Sequence, residues 1–151
     1  MDLSPLQKLV GELLAIVAGL TSYEVPSRLP TVELMPGPAL QQRFCKRPCP
    51  IYAAYQPGGS IVLDAKLDPA GDVQARSILL HELVHYVQWI HHGHGPKSCT
   101  EWREREDEAY LVQFRWLATQ PPTMGGLVGR RPPLPAVLCG GQNQPKASGA
   151  G

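Results

Sequence analysis

Residues 73–92 constrain the fold most strongly, because they form a helical pattern with clear start and stop signals. Asp72 is a typical N-cap residue, and a stretch with glycine and proline, 93–96, follows the last periodic position. His81 and His85 stand four residues apart in this segment, so they share one helix face and lie one turn from each other. The neighbouring positions are apolar, and the sequence therefore predicts a buried helix that presents two imidazoles to one point.

The remaining patterns predict an α+β domain around this helix. Apolar residues recur at spacings of three and four behind Ser4 and Pro5, an N-cap residue followed by a proline suited to the first helical position. The turn sequence Gln-Pro-Gly-Gly at 56–59 separates two β-favouring runs and indicates a hairpin, so we expect a short, mostly antiparallel sheet. The predicted elements are helices over 4–20, 73–92 and 100–119, the last capped by Thr100, and strands over 31–34, 40–44, 51–55 and 60–63.

Length and charge predict one domain and exclude some partners. The chain has 151 residues, and proline and glycine dominate after residue 120, so we expect a domain over 1–120 and a flexible tail over 121–151. The net charge of +1 provides no field that would attract nucleic acid. The apolar run 9–20 contains Glu12 and is too short to cross a bilayer, so we expect no membrane span.

The four cysteines leave the compartment open. They stand at positions 45, 49, 99 and 139. Disulfide pairing among Cys45, Cys49 and Cys99 is expected if the protein is exported to the periplasm or secreted, whereas a cytoplasmic protein would bury them as free thiols. The chain lacks a second closely spaced pair, so a four-cysteine zinc site is not favoured.

The histidine pair predicts a zinc site with an adjacent base. Zn²⁺ binds imidazole nitrogen, and two histidines on one helix face can reach one ion. Glu82 directly follows the first histidine, which places its carboxylate beside the metal rather than on it. From there Glu82 can take a proton from zinc-bound water and deliver it to a leaving amine.

A third protein ligand is needed for a catalytic zinc site, and His91 is one candidate. It stands where the longer motif HExxHxxGxxH has its third histidine, but Gln88 replaces the glycine at which that motif turns the chain. Glutamine favours helix, so the helix should continue and turn His91 away from the metal face.

Glu106 is the other candidate, and helical geometry favours it. At about 100° per residue, Glu106 falls in the middle of the apolar face of the predicted helix 100–119, whereas Glu104 and Glu108 point to the opposite side. A carboxylate on a buried face needs a partner, because an unpaired buried charge is costly. We therefore predict Glu106 as the third ligand, with a buried ion pair as the alternative and with Glu104 and Glu108 on a solvated surface.

Two glutamines are candidates for supporting the ligands. Gln88 and Gln113 fall on the metal-side faces of the two helices, where a side-chain amide can bond to a metal-ligating imidazole. The alternative is that both are polar groups at the edge of the core, bonded to backbone.

The motif and the downstream helix together resemble a known family. HExxH followed by Glu106-Asp107-Glu108-Ala109-Tyr110 resembles the gluzincin branch of the zincin metallopeptidases, and the order of elements resembles the compact minigluzincin domains. The resemblance covers about residues 5–119 and depends on 77–113. It implies a zincin-like fold, His81, His85 and Glu106 as zinc ligands, Glu82 as base, and a peptide lying along Ser60–Leu63 as an edge strand. Many gluzincins have aspartate at the position of Tyr110, which here would bond to the first histidine or pack against it.

These features predict a monomeric zinc peptidase that acts on a peptide or protein. Two other functions stay open: a zincin-fold binding module without catalysis, and another HExxH metal amidase, in which Cys45 or Cys49 would supply a ligand as in deformylases. Tyr55, Tyr86 and Tyr110 are candidates for stabilising the oxyanion.

Overall fold

The computed structural model describes residues 3–45, 49 and 51–121, and it confirms the predicted α+β fold class. The predicted tail lies outside the described residues except for Pro121. In chain order the elements are α1 (Pro5–Leu20), β1 (Thr31–Met35), α2 (Gly37–Phe44), β2 (Ala53–Gln56), β3 (Ser60–Asp64), α3 (Val73–His92) and α4 (Cys99–Ala118).

The described sheet is mixed rather than mostly antiparallel. Its strand order is β1-β3-β2, with β2 antiparallel and β1 parallel to β3. The predicted hairpin is confirmed, with Gly58 and Gly59 at positive φ in its turn. The parallel pair arises because the chain passes through α2 and β2 between β1 and β3.

The prediction that Ser60–Leu63 is an edge strand is wrong, because β1 pairs with its second side. Thr31 lies opposite Ser60 in the register, and the pairing continues to the end of β3. The apolar run of β3 is buried at Ile61, Val62 and Leu63, as is typical of a central strand covered on both faces. The edges of the described sheet are therefore β1 and β2.

The predicted strand 40–44 is also wrong, since these residues belong to α2. Pro36 ends β1, and Pro38 occupies the first turn of the helix, where its fixed φ is favourable. Leu40 is the buried residue of α2, and it packs with Ile51 and Val62 in a small second core on the far face of the sheet.

The long helices begin and end where local signals predict. Ser4 accepts a hydrogen bond from the Gln7 N–H at 3.2 Å, and Asp72 accepts from the first turn of α3. Gly93 ends α3 in the left-handed conformation, with φ of 77°. One cap differs from the prediction, because the N-cap of α4 is Ser98 rather than Thr100, and the Ser98 hydroxyl accepts from the Glu101 N–H at 3.0 Å.

The main core places α3 at the centre of the domain. This helix packs against α4, α1 and β2, which explains why residues 79–88 are all buried. The side chains at the α3–α4 contact are therefore removed from water, including the polar ones. Among the residues that the structure describes, no helix is both long enough and apolar enough to cross a bilayer.

Cys45 and Cys49 form a disulfide between α2 and β2. Both residues pack against the small second core. Disulfides persist in oxidising compartments, so this pair points toward an oxidising environment.

Candidate metal centre

Three buried side chains from α3 and α4 converge on one point. His81 and His85 project from one face of α3, and Glu106 projects from α4 toward them. The Nε2 atoms of the two histidines lie 3.2 Å apart, and His81 Nε2 lies 3.3 Å from Glu106 Oε1. Glu106 Oε1 also contacts His85 Nε2. One donor atom from each residue lies within 4.8 Å of the other two, so this group could hold a metal ion.

The hydrogen bond of Gln88 assigns the ring proton of His85. Gln88 Nε2 donates to the Arg105 carbonyl and to Glu108 Oε1, both at 2.9 Å. Since both partners are acceptors, the amide must turn its oxygen to His85 Nδ1, which lies 2.9 Å away. Nδ1 therefore carries the proton and donates it, and the lone pair of Nε2 can face a metal.

The same assignment holds for His81 through Gln113. The Ser77 hydroxyl donates to the Gln74 carbonyl at 2.7 Å, so it must accept the bond from Gln113 Nε2 at 3.1 Å. The amide oxygen of Gln113 consequently faces His81 Nδ1 at 3.0 Å. Both predicted glutamines thus contact the histidines in the orientation that leaves both Nε2 atoms available as ligands.

Glu106 and His85 shift each other's pKa values because their charges are adjacent. Burial would raise the pKa of Glu106, but His85 and then His81 outweigh that effect and hold the pKa well below its usual range. Burial opposes protonation of His85, yet the adjacent Glu106 carboxylate raises the pKa of His85 to about 9. Without metal the two side chains form a buried ion pair. A metal cation can take the place of the proton that His85 carries in this pair.

Glu82 lies beside this group with its carboxyl buried. Glu82 Oε2 is 3.9 Å from His81 Nε2, and the residue is fully buried. Neither carboxyl oxygen has a side-chain hydrogen-bond partner among the described residues. Burial raises the pKa of Glu82 to about 7, although His81, His85 and the Tyr55 backbone N–H lower it in part.

Metal-free protein should therefore show a pH-dependent effect of Glu82→Gln on stability. The unfolded carboxyl ionises near pH 4.5, whereas the folded one does so near 7, so this group lowers the stability of wild type as the pH rises between these values, and the variant lacks that contribution. The stability advantage of the variant should widen by about 2–3 kcal/mol between pH 5 and pH 8. Urea unfolding in the presence of a chelator measures it, and an equal difference at both pH values would contradict the prediction.

Of the other sequence candidates that the structure describes, only Tyr110 contacts one of the three converging residues. His91 is exposed on the continuous helix α3, with its ring centroid 5.0 Å from that of Tyr23, away from the three converging residues. The Tyr110 ring packs against His81 with centroids 4.4 Å apart. Glu104 is exposed, as predicted. Glu108 is not on a solvated surface, since it is half-buried and accepts from Gln88 and from Tyr23.

Sequence reasoning missed Glu108, Tyr23 and Ser77. Glu108 is two positions after Glu106, about 200° around the helix, so no helical pattern joins them. Its burial comes from Tyr23, in the connection after α1, and the two residues are 85 positions apart in sequence. Ser77, by contrast, precedes His81 by one helical turn, and that spacing is a usable signal.

A narrow pocket lies beside His85, at the end of α3. It is bounded by β2, by the loop after α3 and by the start of α4. The lining residues are Tyr55, His85, Gln88, Trp89, Gly95, Pro96, Trp102 and Arg105.

Comparison with known proteins finds no matching protein-family model, no matching curated protein and no matching solved structure. Fold and site define a small α+β protein with a buried His-His-Glu group suited to a metal ion.

Proposed function

We propose that this chain is a zinc-dependent peptidase in which His81, His85 and Glu106 bind the metal and Glu82 is the general base. The observation that supports it most is the buried carboxyl of Glu82, 3.9 Å from His81 Nε2 and without a side-chain partner in the described part of the chain. A buried carboxyl of this kind is costly for folding. Its position beside three potential ligands gives it a chemical role.

The donor set suits zinc. Two imidazole nitrogens and one carboxylate oxygen are borderline and hard donors that Zn²⁺ accepts, and three protein ligands leave a fourth position for chemistry. Gln88 and Gln113 hold the imidazoles in the tautomer that binds metal. The gluzincin-like order of these residues in the sequence agrees with this choice of ion.

The side chains of the site have distinct tasks in hydrolysis. Zinc, when bound, supplies Lewis acidity that polarises a carbonyl and lowers the pKa of a water. Glu82 takes the proton of the attacking water and returns it to the leaving amine. Tyr110, whose ring lies against His81, is one candidate for stabilising the oxyanion, and Tyr55, which lines the pocket beside His85, is the other. Tyr86 is occupied elsewhere, since its hydroxyl donates to the Arg28 carbonyl.

A peptide would bind along β2 rather than β3. The Asp64 N–H donates to the Tyr52 carbonyl, and such bonds alternate along an antiparallel pair, so the backbone groups of Ala53 and Tyr55 point away from β3. β2 packs against α3, and the Tyr55 N–H faces Glu82. An extended substrate on the side of β2 that faces away from β3 would lie beside the base.

One observation favours a binding module without catalysis. His81, Glu82, His85 and Glu106 are only 2%, 0%, 6% and 3% exposed, so a substrate must displace side chains or a loop to reach them.

A deformylase-like amidase is disfavoured, because Cys45 and Cys49 bond to each other and neither thiol is available as a ligand. The same disulfide favours the exported alternative over the cytoplasmic one.

Removal and return of metal test the proposal. Purified protein should contain one zinc per chain and should cleave an unfolded protein substrate. A chelator should abolish cleavage, and added Zn²⁺ should restore it. Bound zinc without cleavage of any unfolded substrate would favour the binding module. Protein that binds no zinc when it is supplied would overturn the metal site itself.

A further inference from the structure

We propose that Glu108 and Tyr23 are positioning residues for the metal site and act on His85 through Gln88. The inference rests on the proposed metal site, but it concerns metal affinity rather than hydrolysis. It assigns a role to a carboxylate that sequence patterns place on the opposite face of α4 from Glu106.

The contacts form one continuous series from the protein periphery to the ligand. The Tyr23 hydroxyl donates to Glu108 Oε1 at 2.6 Å, and Gln88 Nε2 donates to the same oxygen at 2.9 Å. Gln88 Oε1 accepts from His85 Nδ1 at 2.9 Å. We call Gln88, Glu108 and Tyr23 the His85 network. It joins α3, α4 and the connection that follows α1.

Glu108 restricts the orientation of the Gln88 amide. If the amide turned over, its NH₂ group would face His85 Nδ1 and its oxygen would face Glu108 and the Arg105 carbonyl. His85 would then have to accept at Nδ1 and carry its proton on Nε2, where it could not bind metal. The carboxylate disfavours that arrangement, because two acceptors would meet without a proton between them.

The charge of Glu108 also strengthens the series. A hydrogen bond to an ionised acceptor is stronger than a neutral one, and linked bonds polarise each other. The Glu108 carboxylate, acting through Gln88, therefore increases the electron density on the His85 ring. This makes His85 Nε2 a better metal ligand. Tyr23 fixes the carboxylate by donating to the same oxygen that Gln88 uses.

The corresponding contacts of His81 differ and provide a control. Gln113 supports His81, and it ends on Ser77, whose hydroxyl donates to a backbone carbonyl. We call Gln113 and Ser77 the His81 network, and it contains no charged group. Only the His85 network should thus depend on a charge, and the matched control for a Glu108 variant is Ser77→Ala.

The test is zinc affinity, measured by competition with a chromophoric chelator at pH 7.5. Loss of an outer hydrogen-bond partner weakens metal binding by roughly 10–100-fold, so Gln88→Ala should fall in this range and Glu108→Ala near its lower end, at about tenfold. Glu108→Gln keeps an acceptor and loses the charge, so it should recover part of the affinity. Tyr23→Phe and Ser77→Ala should each cost less than Glu108→Ala.

Two further readouts separate positioning from general destabilisation. The visible spectrum of the Co²⁺-substituted protein should change in Glu108→Ala and return toward wild type in Glu108→Gln, which a loss of packing would not produce. Zinc affinity in Glu108→Ala within twofold of wild type, while His85→Ala loses the metal, would overturn this inference alone. Wild-type protein that binds no zinc would overturn the proposed metal site and this inference with it.

Discussion

The Glu82→Gln variant is expected to keep its zinc and to cleave an unfolded protein roughly 10²–10⁴-fold more slowly than wild type. Glutamine has nearly the same shape as glutamate but cannot take a proton from water at neutral pH. Glu82 is not one of the three converging donors, so its replacement should leave metal content unchanged. The measurement is the rate of cleavage under zinc saturation, with the metal content determined on the same preparation.

Glu104→Gln is the matched control for this variant. Glu104 carries the same functional group on α4, but it is exposed and remote from the ligands. Its replacement should change neither cleavage nor zinc content. A Glu82→Gln protein that cleaves at the wild-type rate would contradict the assignment of the base, and it would shift the balance toward a contaminating protease or a different nucleophile activator.

The stability of the same variant shows whether a loss of activity is caused by unfolding. Because the raised pKa of Glu82 reflects burial, Glu82→Gln should be at least as stable as wild type when metal is absent above pH 7. A slow variant that is also more stable cannot owe its slowness to unfolding. This combination is typical of a catalytic group that is held in an unfavourable environment.

The site could be predicted largely from sequence because its geometry is local. The spacing of His81 and His85 fixes their common face once α3 is a helix, and α3 begins and ends at strong signals, Asp72 and Gly93. Glu106 follows from the apolar face of α4 by the same 3.6-residue geometry. The convergence of the two helices is the one feature of the site that is not local in sequence. It could still be expected, because a buried carboxylate such as Glu106 needs a partner.

The sheet and the His85 network could not be predicted in this way. Strand order depends on pairings between distant segments, and nothing in the pattern of 60–63 tells whether one side or both sides will be paired. Residues 40–44 show no clear period, and the prolines before them favoured a helix over the predicted strand. Glu108 accepts a hydrogen bond from Tyr23, which lies in a connection without regular structure, so no helical pattern predicts this contact.

Glu106→Ala is expected to weaken zinc binding by more than about 100-fold, because loss of a direct ligand should exceed the effect of losing an outer partner. Glu106 Oε1 contacts both histidines at their Nε2 atoms, so its removal takes away one of the three converging donors. Glu106→Gln should bind more weakly than wild type as well, since a neutral amide oxygen attracts Zn²⁺ less than a carboxylate does. Competition with a chelator measures both variants.

His91→Ala separates this ligand set from the three-histidine alternative. His91 is exposed on α3 and remote from the converging ligands, so its removal should leave zinc affinity within about twofold of wild type. Zinc binding that survived Glu106→Ala and disappeared in His91→Ala would contradict the site described here. It would require α3 to end near Gln88 when metal binds, which would break the bonds of Gln88 to α4. Equal losses in both variants would instead indicate a general destabilisation, which urea unfolding of the metal-free proteins would reveal.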